Sequence, residues 1–229
     1  MSVLVNLQRE STEDARQFAY RILKLSILEL LLHPGAKLNE AELAQSLAMS
    51  RTPVHDILVR LARENLVELI PQRGAFVMCI DSVRVKQAAQ MQVQMGIAML
   101  DVIYTKHLKP ACYEPLSKEI TKLQFSVATQ DYIEAIRCIN GFYQALYNLA
   151  DLELVFSSIQ YASADFSRLS LMCCGIDGFC ERTLIECRAI VDALVARDNS
   201  SACRALQHQF ERTYNALPML RQSHPHFFS

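Results

Sequence analysis

The chain has 229 residues, enough for one large domain or two modest ones with a true core. It is 51% apolar and 21% charged, with only six glycines and seven prolines, which excludes disordered, collagen-like and turn-dense all-β chains and favours helices. Twenty-three Lys and Arg stand against 24 Asp and Glu, so the net charge of -1 excludes a globally basic nucleic-acid binder, and any DNA-reading surface must be local.

Residues 1–17 carry neither a basic-then-apolar leader pattern nor an Arg-rich amphipathic one. No stretch approaches the ~18 uncharged apolar residues that a membrane span requires. The chain is therefore read as cytoplasmic, with no membrane partner. All eight cysteines lie after residue 78 at irregular spacings, which argues against a disulfide scaffold and, lacking any Cys-x-x-Cys, against zinc.

The first helix is predicted over about 12–32, capped by Thr12, with Phe18, Ile22, Leu25, Ile27, Leu28 and Leu31 on its apolar face. His33-Pro34-Gly35 ends it. A short second helix starts at Asn39, with Glu42 at capping-box spacing, and runs through Leu43 and Leu47. Ser50 caps a third helix whose Pro53 sits in the first turn, where its missing N–H costs nothing. At about 100° per residue, Val54, Ile57, Leu58, Leu61 and Asn65 share one side, leaving Thr52, His55, Asp56, Val59 and Arg63 on the other. Residues 66–70 and 75–79 read as strands about a Pro71-Gln72-Arg73-Gly74 turn.

Helix, short helix, capped helix with a polar face, then a two-stranded wing: this order describes a winged helix-turn-helix over residues 1–80. In that geometry the start of the third helix enters the major groove and the wing reaches a neighbouring phosphate or minor groove. Ser50, Arg51, Thr52 and Arg73 are the leading DNA-contact candidates, joined by His55 on the same helix and by Gln72 and Gly74 at the turn. Residues 1–78 hold nine basic and nine acidic side chains, so each monomer is expected to bind modestly. A protein-contact adaptor, scaffold or carrier with a degraded winged helix is the alternative.

His33-Pro34-Gly35-Ala36-Lys37-Leu38-Asn39-Glu40, Glu42-Leu43-Ala44, Ser50-Arg51-Thr52-Pro53-Val54 and Pro71-Gln72-Arg73-Gly74-Ala75-Phe76-Val77 resemble the DNA-binding domain of GntR-type bacterial regulators. Residues 81–229 resemble the helical FCD effector domain of that family's FadR-like branch, through Asp131, Phe142 and Leu146 and through the 189–194 run with Asp198 and Ala202. The resemblance implies a ligand-responsive, DNA-binding homodimer, usually a repressor acting on a palindromic operator. Two arginines of the family pattern are replaced, by His55 and by Ala41, which removes a bidentate fork and a donor.

The second half reads as a helical bundle with helices over 84–107, 115–128, 130–149, 151–171, 178–197 and 199–217, broken at 173–178. Many FCD domains bind a divalent metal through an Asp and three His. The corresponding positions here are Ile139, Tyr143, Cys187 and Gln209, so neither metal nor other cofactor is expected. Gln92 and Gly96 replace an Arg and a Glu of the pattern. These departures point to a neutral or apolar effector near Gln92, Tyr143, Cys187 and Gln209. A competing reading makes Cys173, Cys174 and Cys180, flanking an accessible loop beside Arg168 and Arg182, an oxidant sensor. No phosphate loop, Gly-x-Ser-x-Gly or His-Glu-x-x-His is present, which argues against an enzyme.

Overall fold

The computed structural model describes residues 4–5, 8–9 and 12–229, so the leader reading of residues 1–17 falls partly outside the described residues. The fold is mainly helical and divides into two compact units. One runs to Ser82 and takes back Arg221–Ser229; the other is Val83–Leu220. The tail, expected above within residues 81–229, thus groups with the first unit.

In the first unit α1 is Ala15–Leu28, shorter at both ends than the predicted 12–32. Its cap is Asp14, not Thr12: Asp14 Oδ1 accepts from Gln17 N–H at 2.8 Å while Gln17 Oε1 accepts from Asp14 N–H at 2.9 Å. Leu30, at φ 56°, turns the chain left-handed just past the helix. The helices α2 (Glu40–Ser46) and α3 (Arg51–Arg63) follow, joined by a turn in which Ala48 has φ 51°. On α3 Val54, Ile57, Leu58 and Leu61 are buried as the period predicts, each contributing about 1.5–3 kcal/mol. Asn65 does not join them; it lies exposed beyond the helix end at φ 56°.

The wing hairpin pairs β2 (Val67–Ile70) with β3 (Gly74–Val77) antiparallel, Val67 opposite Val77 and Ile70 opposite Gly74. A third strand, β1 (Lys37–Leu38), pairs with the far edge of β3, Lys37 opposite Phe76. The tail adds an isolated parallel bridge, with Ile80 N–H donating to Phe227 O at 2.8 Å and Ser229 N–H to Ile80 O at 3.1 Å.

The second unit begins with α4, numbered from Ser82 to Thr105, followed by α5 (Glu114–Ala128), α6 (Tyr132–Leu149), α7 (Glu153–Ala162), α8 (Ala164–Cys174), α9 (Phe179–Val195) and α10 (Asn199–Asn215). The predicted 151–171 helix is two helices split at Ser163, and the unpredicted α11 (Leu217–Ser223) closes the series. Leu116, Phe142, Leu146, Cys187, Ile190 and Leu206 supply core from four helices. Gly96 of α4 lies against Leu206 of α10: a Cβ there would stand 2.7 Å from Leu206 Cδ1, so a side chain would have to displace the leucine. Asp165 and the fully buried Arg168 form an ion pair, and Arg84 Nε reaches Asp165 Oδ2 at 2.5 Å.

Candidate nucleic-acid interface

The apolar face of α3 is fixed in the core, so its first turn is held at the surface on a rigid base. Ser50, Arg51, Thr52 and His55 are all exposed there. Ser50 occupies the cap position but makes no side-chain cap bond, contrary to the predicted cap hydrogen bond. The first-turn N–H groups and the positive end of the helix dipole are therefore combined with a hydroxyl that remains available. Arg51 forms no ion pair with any described residue.

His55 behaves differently from an arginine. Its Nδ1 lies 3.0 Å from Glu40 Oε1 at the start of α2, and that hydrogen bond, with the Glu40 charge, raises its proton affinity above the ordinary histidine value. Glu40 thus tethers His55 and offsets part of its charge, a partnership the sequence reading missed.

The remaining candidates sit at the wing tip. Gln72, Arg73 and Gly74 are exposed, with Gln72 at φ 64° and Gly74 at φ 104°, and Arg73 N–H closes the turn on Ile70 O at 3.0 Å. Lys37 Cε would stand 3.6 Å from a Cβ on Gly74, so the strand pairing of β1 lays an exposed lysine alongside the tip. Sequence reasoning did not select Lys37; its only signal was its place in the motif run.

Three other cations of this unit, Arg21, Lys24 and Arg60, are committed internally. Glu64, 8% exposed, accepts from Tyr20 Oη at 2.5 Å and from Lys24 Nζ at 2.7 Å, and Arg60 stacks over the Tyr20 ring at 3.6 Å. Burial, then the bond to Glu64, pushes the Tyr20 hydroxyl up. Arg21 is held by Glu13 at 2.6 and 2.7 Å.

In the helical unit, Gln92, Tyr143 and Gln209 line one cavity of about 50 Å³ with Phe166, Phe179 and Phe210. Cys187, expected with them, is fully buried and is not part of that lining. Tyr143 Oη donates to Gln209 Oε1 at 2.9 Å, and burial pushes the Tyr143 hydroxyl well above the usual tyrosine range. The metal implied by the FCD resemblance does not fit: Ile139 offers no donor, Tyr143 is committed to Gln209, and His208 lies 2.7 Å from Glu186. Among the described residues no group of three or more His, Cys, Asp or Glu is arranged around a metal position.

The redox candidates are not accessible. Cys173, Cys174 and Cys180 are at most 3% exposed, and Arg168 is paired with Asp165 instead of serving a thiolate. Burial pushes the Cys173 thiol up to about 12. The hydrogen bond shared by Cys174 and Cys180 raises the first thiol and lowers the second. Buried thiols of this kind are shielded from oxidants.

Residues 15–77 match the family described as bacterial regulatory proteins, gntR family. The chain is 25% identical over 225 residues to the HTH-type transcriptional repressor RspR of Escherichia coli (strain K12), covering 98% of both chains. It is 28% identical over 219 residues to an HTH-type transcriptional regulator of Streptomyces ambofaciens, covering 93% of this chain and 89% of that one. Escherichia coli McbR/YncC shares the fold with a TM-score of 0.77 at 20% identity, over 93% of this chain and 100% of that one. Among the described residues no helix is long and apolar enough to cross a membrane.

Proposed function

We propose that this DNA-binding transcriptional regulator of the GntR family is a cytoplasmic homodimeric repressor that binds a palindromic operator and is released by a small molecule. The observation that carries the reading is the exposed first turn of α3, rigidly backed by Val54, Ile57, Leu58 and Leu61 and presenting Arg51, which pairs with no described residue. Arg51 reads guanine or phosphate in the major groove, Ser50 and Thr52 bond phosphate, and Gln72, Arg73 and Gly74 bring the wing to the flanking groove. His55 contributes a weaker, pH-dependent contact where the family pattern has an arginine.

The helical unit serves as an FCD-type effector and dimerisation domain. Two reading helices must meet two half-sites at fixed spacing, so a ligand that favours another dimer geometry removes most of the binding. The name of RspR as a repressor supports the direction of control. Capture of genomic fragments followed by sequencing tests this reading. An enriched inverted repeat is the expected result. Failure to enrich any motif favours the scaffold or carrier reading.

A further inference from the structure

We propose that the cavity of the helical unit takes an uncharged polyhydroxy ligand, a sugar or polyol, held by carboxamides and aromatic faces without a metal. The inference rests on the reading of this unit as an effector domain and goes further in naming the ligand chemistry.

Three observations carry it. First, none of the lining side chains bears a formal charge. Arg212, the nearby cation, is committed: it makes two bonds to Glu186, at 2.6 and 3.2 Å, one to Thr183 Oγ1 at 2.9 Å, and lies over the Phe179 ring at 4.0 Å. A carboxylate entering the cavity would lose its water against three phenyl rings with no free cation to receive it.

Second, the polar lining divides into spent and unspent groups. Ser170 donates to Phe166 O, Thr183 to Phe179 O, Thr213 to Gln209 O, and Tyr143 to Gln209 Oε1. The half-buried Gln92, Asn140, Gln160 and Ser167 make no side-chain hydrogen bond with any described residue. Three carboxamides, each with two donors and an acceptor, and one hydroxyl are thus left for the occupant. A wholly apolar ligand would strip their water and return nothing.

Third, Phe166, Phe179 and Phe210 give the cavity apolar faces, with the Phe166 and Phe210 rings 5.9 Å apart. A sugar or polyol presents hydroxyls that both donate and accept, and C–H faces that pack on rings. That combination matches unspent carboxamides beside phenyl groups better than an anion or a hydrocarbon does.

The test is thermal denaturation of the full chain with five- and six-carbon sugars and polyols, and with the matching aldonic acids, at about 10 mM, each with zinc or with EDTA. A neutral compound should raise Tm by about 3 °C irrespective of EDTA, while its aldonate has no effect. Gln160→Leu and Asn140→Leu should each weaken that compound's binding about tenfold by calorimetry. Stabilisation only by a carboxylate, only with zinc, or by no neutral compound overturns the proposal. Release of an enriched DNA fragment is read in parallel. A sugar that binds without releasing DNA leaves the ligand class standing and defeats ligand control. A carboxylate that binds and releases DNA does the reverse.

Discussion

The surface at the start of α3 and the cavity of the helical unit solve opposite electrostatic problems. Near α3 the chain buries an apolar face and leaves Arg51 and Arg73 exposed, without an ion pair to any described residue, so their charge is available to a polyanion. In the bundle the buried charges pair with one another, Asp165 with Arg168 and Arg84 and Glu186 with Arg212, and the cavity lining carries no formal charge. The two proposals accordingly rest on exposed cations in one unit and on carboxamides without side-chain partners in the other.

The largest way to break this contrast is to remove a buried charge. Asp165→Ala takes the carboxylate from the fully buried Arg168 and should cost about 3–5 kcal/mol in urea unfolding. A loss below about 1 kcal/mol would mean that the bundle's ion pairs are dispensable. Glu64→Ala in the first unit should cost less, about 2 kcal/mol, because Lys24 and Arg60 keep 27% and 59% of their side-chain surface exposed and can rehydrate.

Gly74→Val forces a β-branched residue to φ 104° at the wing tip, a strain of about 1–2 kcal/mol. Faster amide exchange across β2 and β3, with the bundle unchanged, is the expected readout. Equal protection in both proteins would show that the tip conformation is not constrained.

The smallest effect sharpens the account of His55. Glu40 raises its folded pKa, so the stabilising contact is fully present below the unfolded value of about 6.5 and is lost as pH rises through the folded one. NMR titration should place the His55 midpoint above that of an ordinary histidine, and Glu40→Gln should return it to about 6.5. An unshifted midpoint in the native protein would discard the pairing and the weak pH-dependent contact built on it.

Much of the first unit was legible because short-range rules govern it. The period of Val54, Ile57, Leu58 and Leu61 gave the buried face of α3, and Pro71-Gln72-Arg73-Gly74 gave the turn. The start of α1 was misread because Thr12 and Asp14 are both cap formers; only Asp14 has, three residues on, a Gln able to reciprocate. Long-range facts were hidden: nothing local announces that Lys37 pairs opposite Phe76, or that Glu64, at a helix end, turns inward to Tyr20.

In the bundle, the apolar pattern runs unbroken through Ser163, with no glycine or proline to mark the split between α7 and α8. The Cys173-Cys174-Gly175 segment looked like an open loop because its glycine and polar neighbours resemble a surface turn, yet the thiols face inward. Tyr143 and Gln209 meet across 66 residues, and only the resemblance brought them together before the structure did.

The most direct test of the central claim uses a DNA fragment enriched by the wild-type chain. Its affinity is measured against salt concentration for wild type and for Arg51→Ala with Arg73→Ala, with circular dichroism to confirm folding. The double variant is predicted to lose at least about a hundredfold in affinity, to lose preference for the enriched sequence, and to flatten the log–log salt slope by about two units. An unchanged affinity, sequence preference and slope would contradict the account.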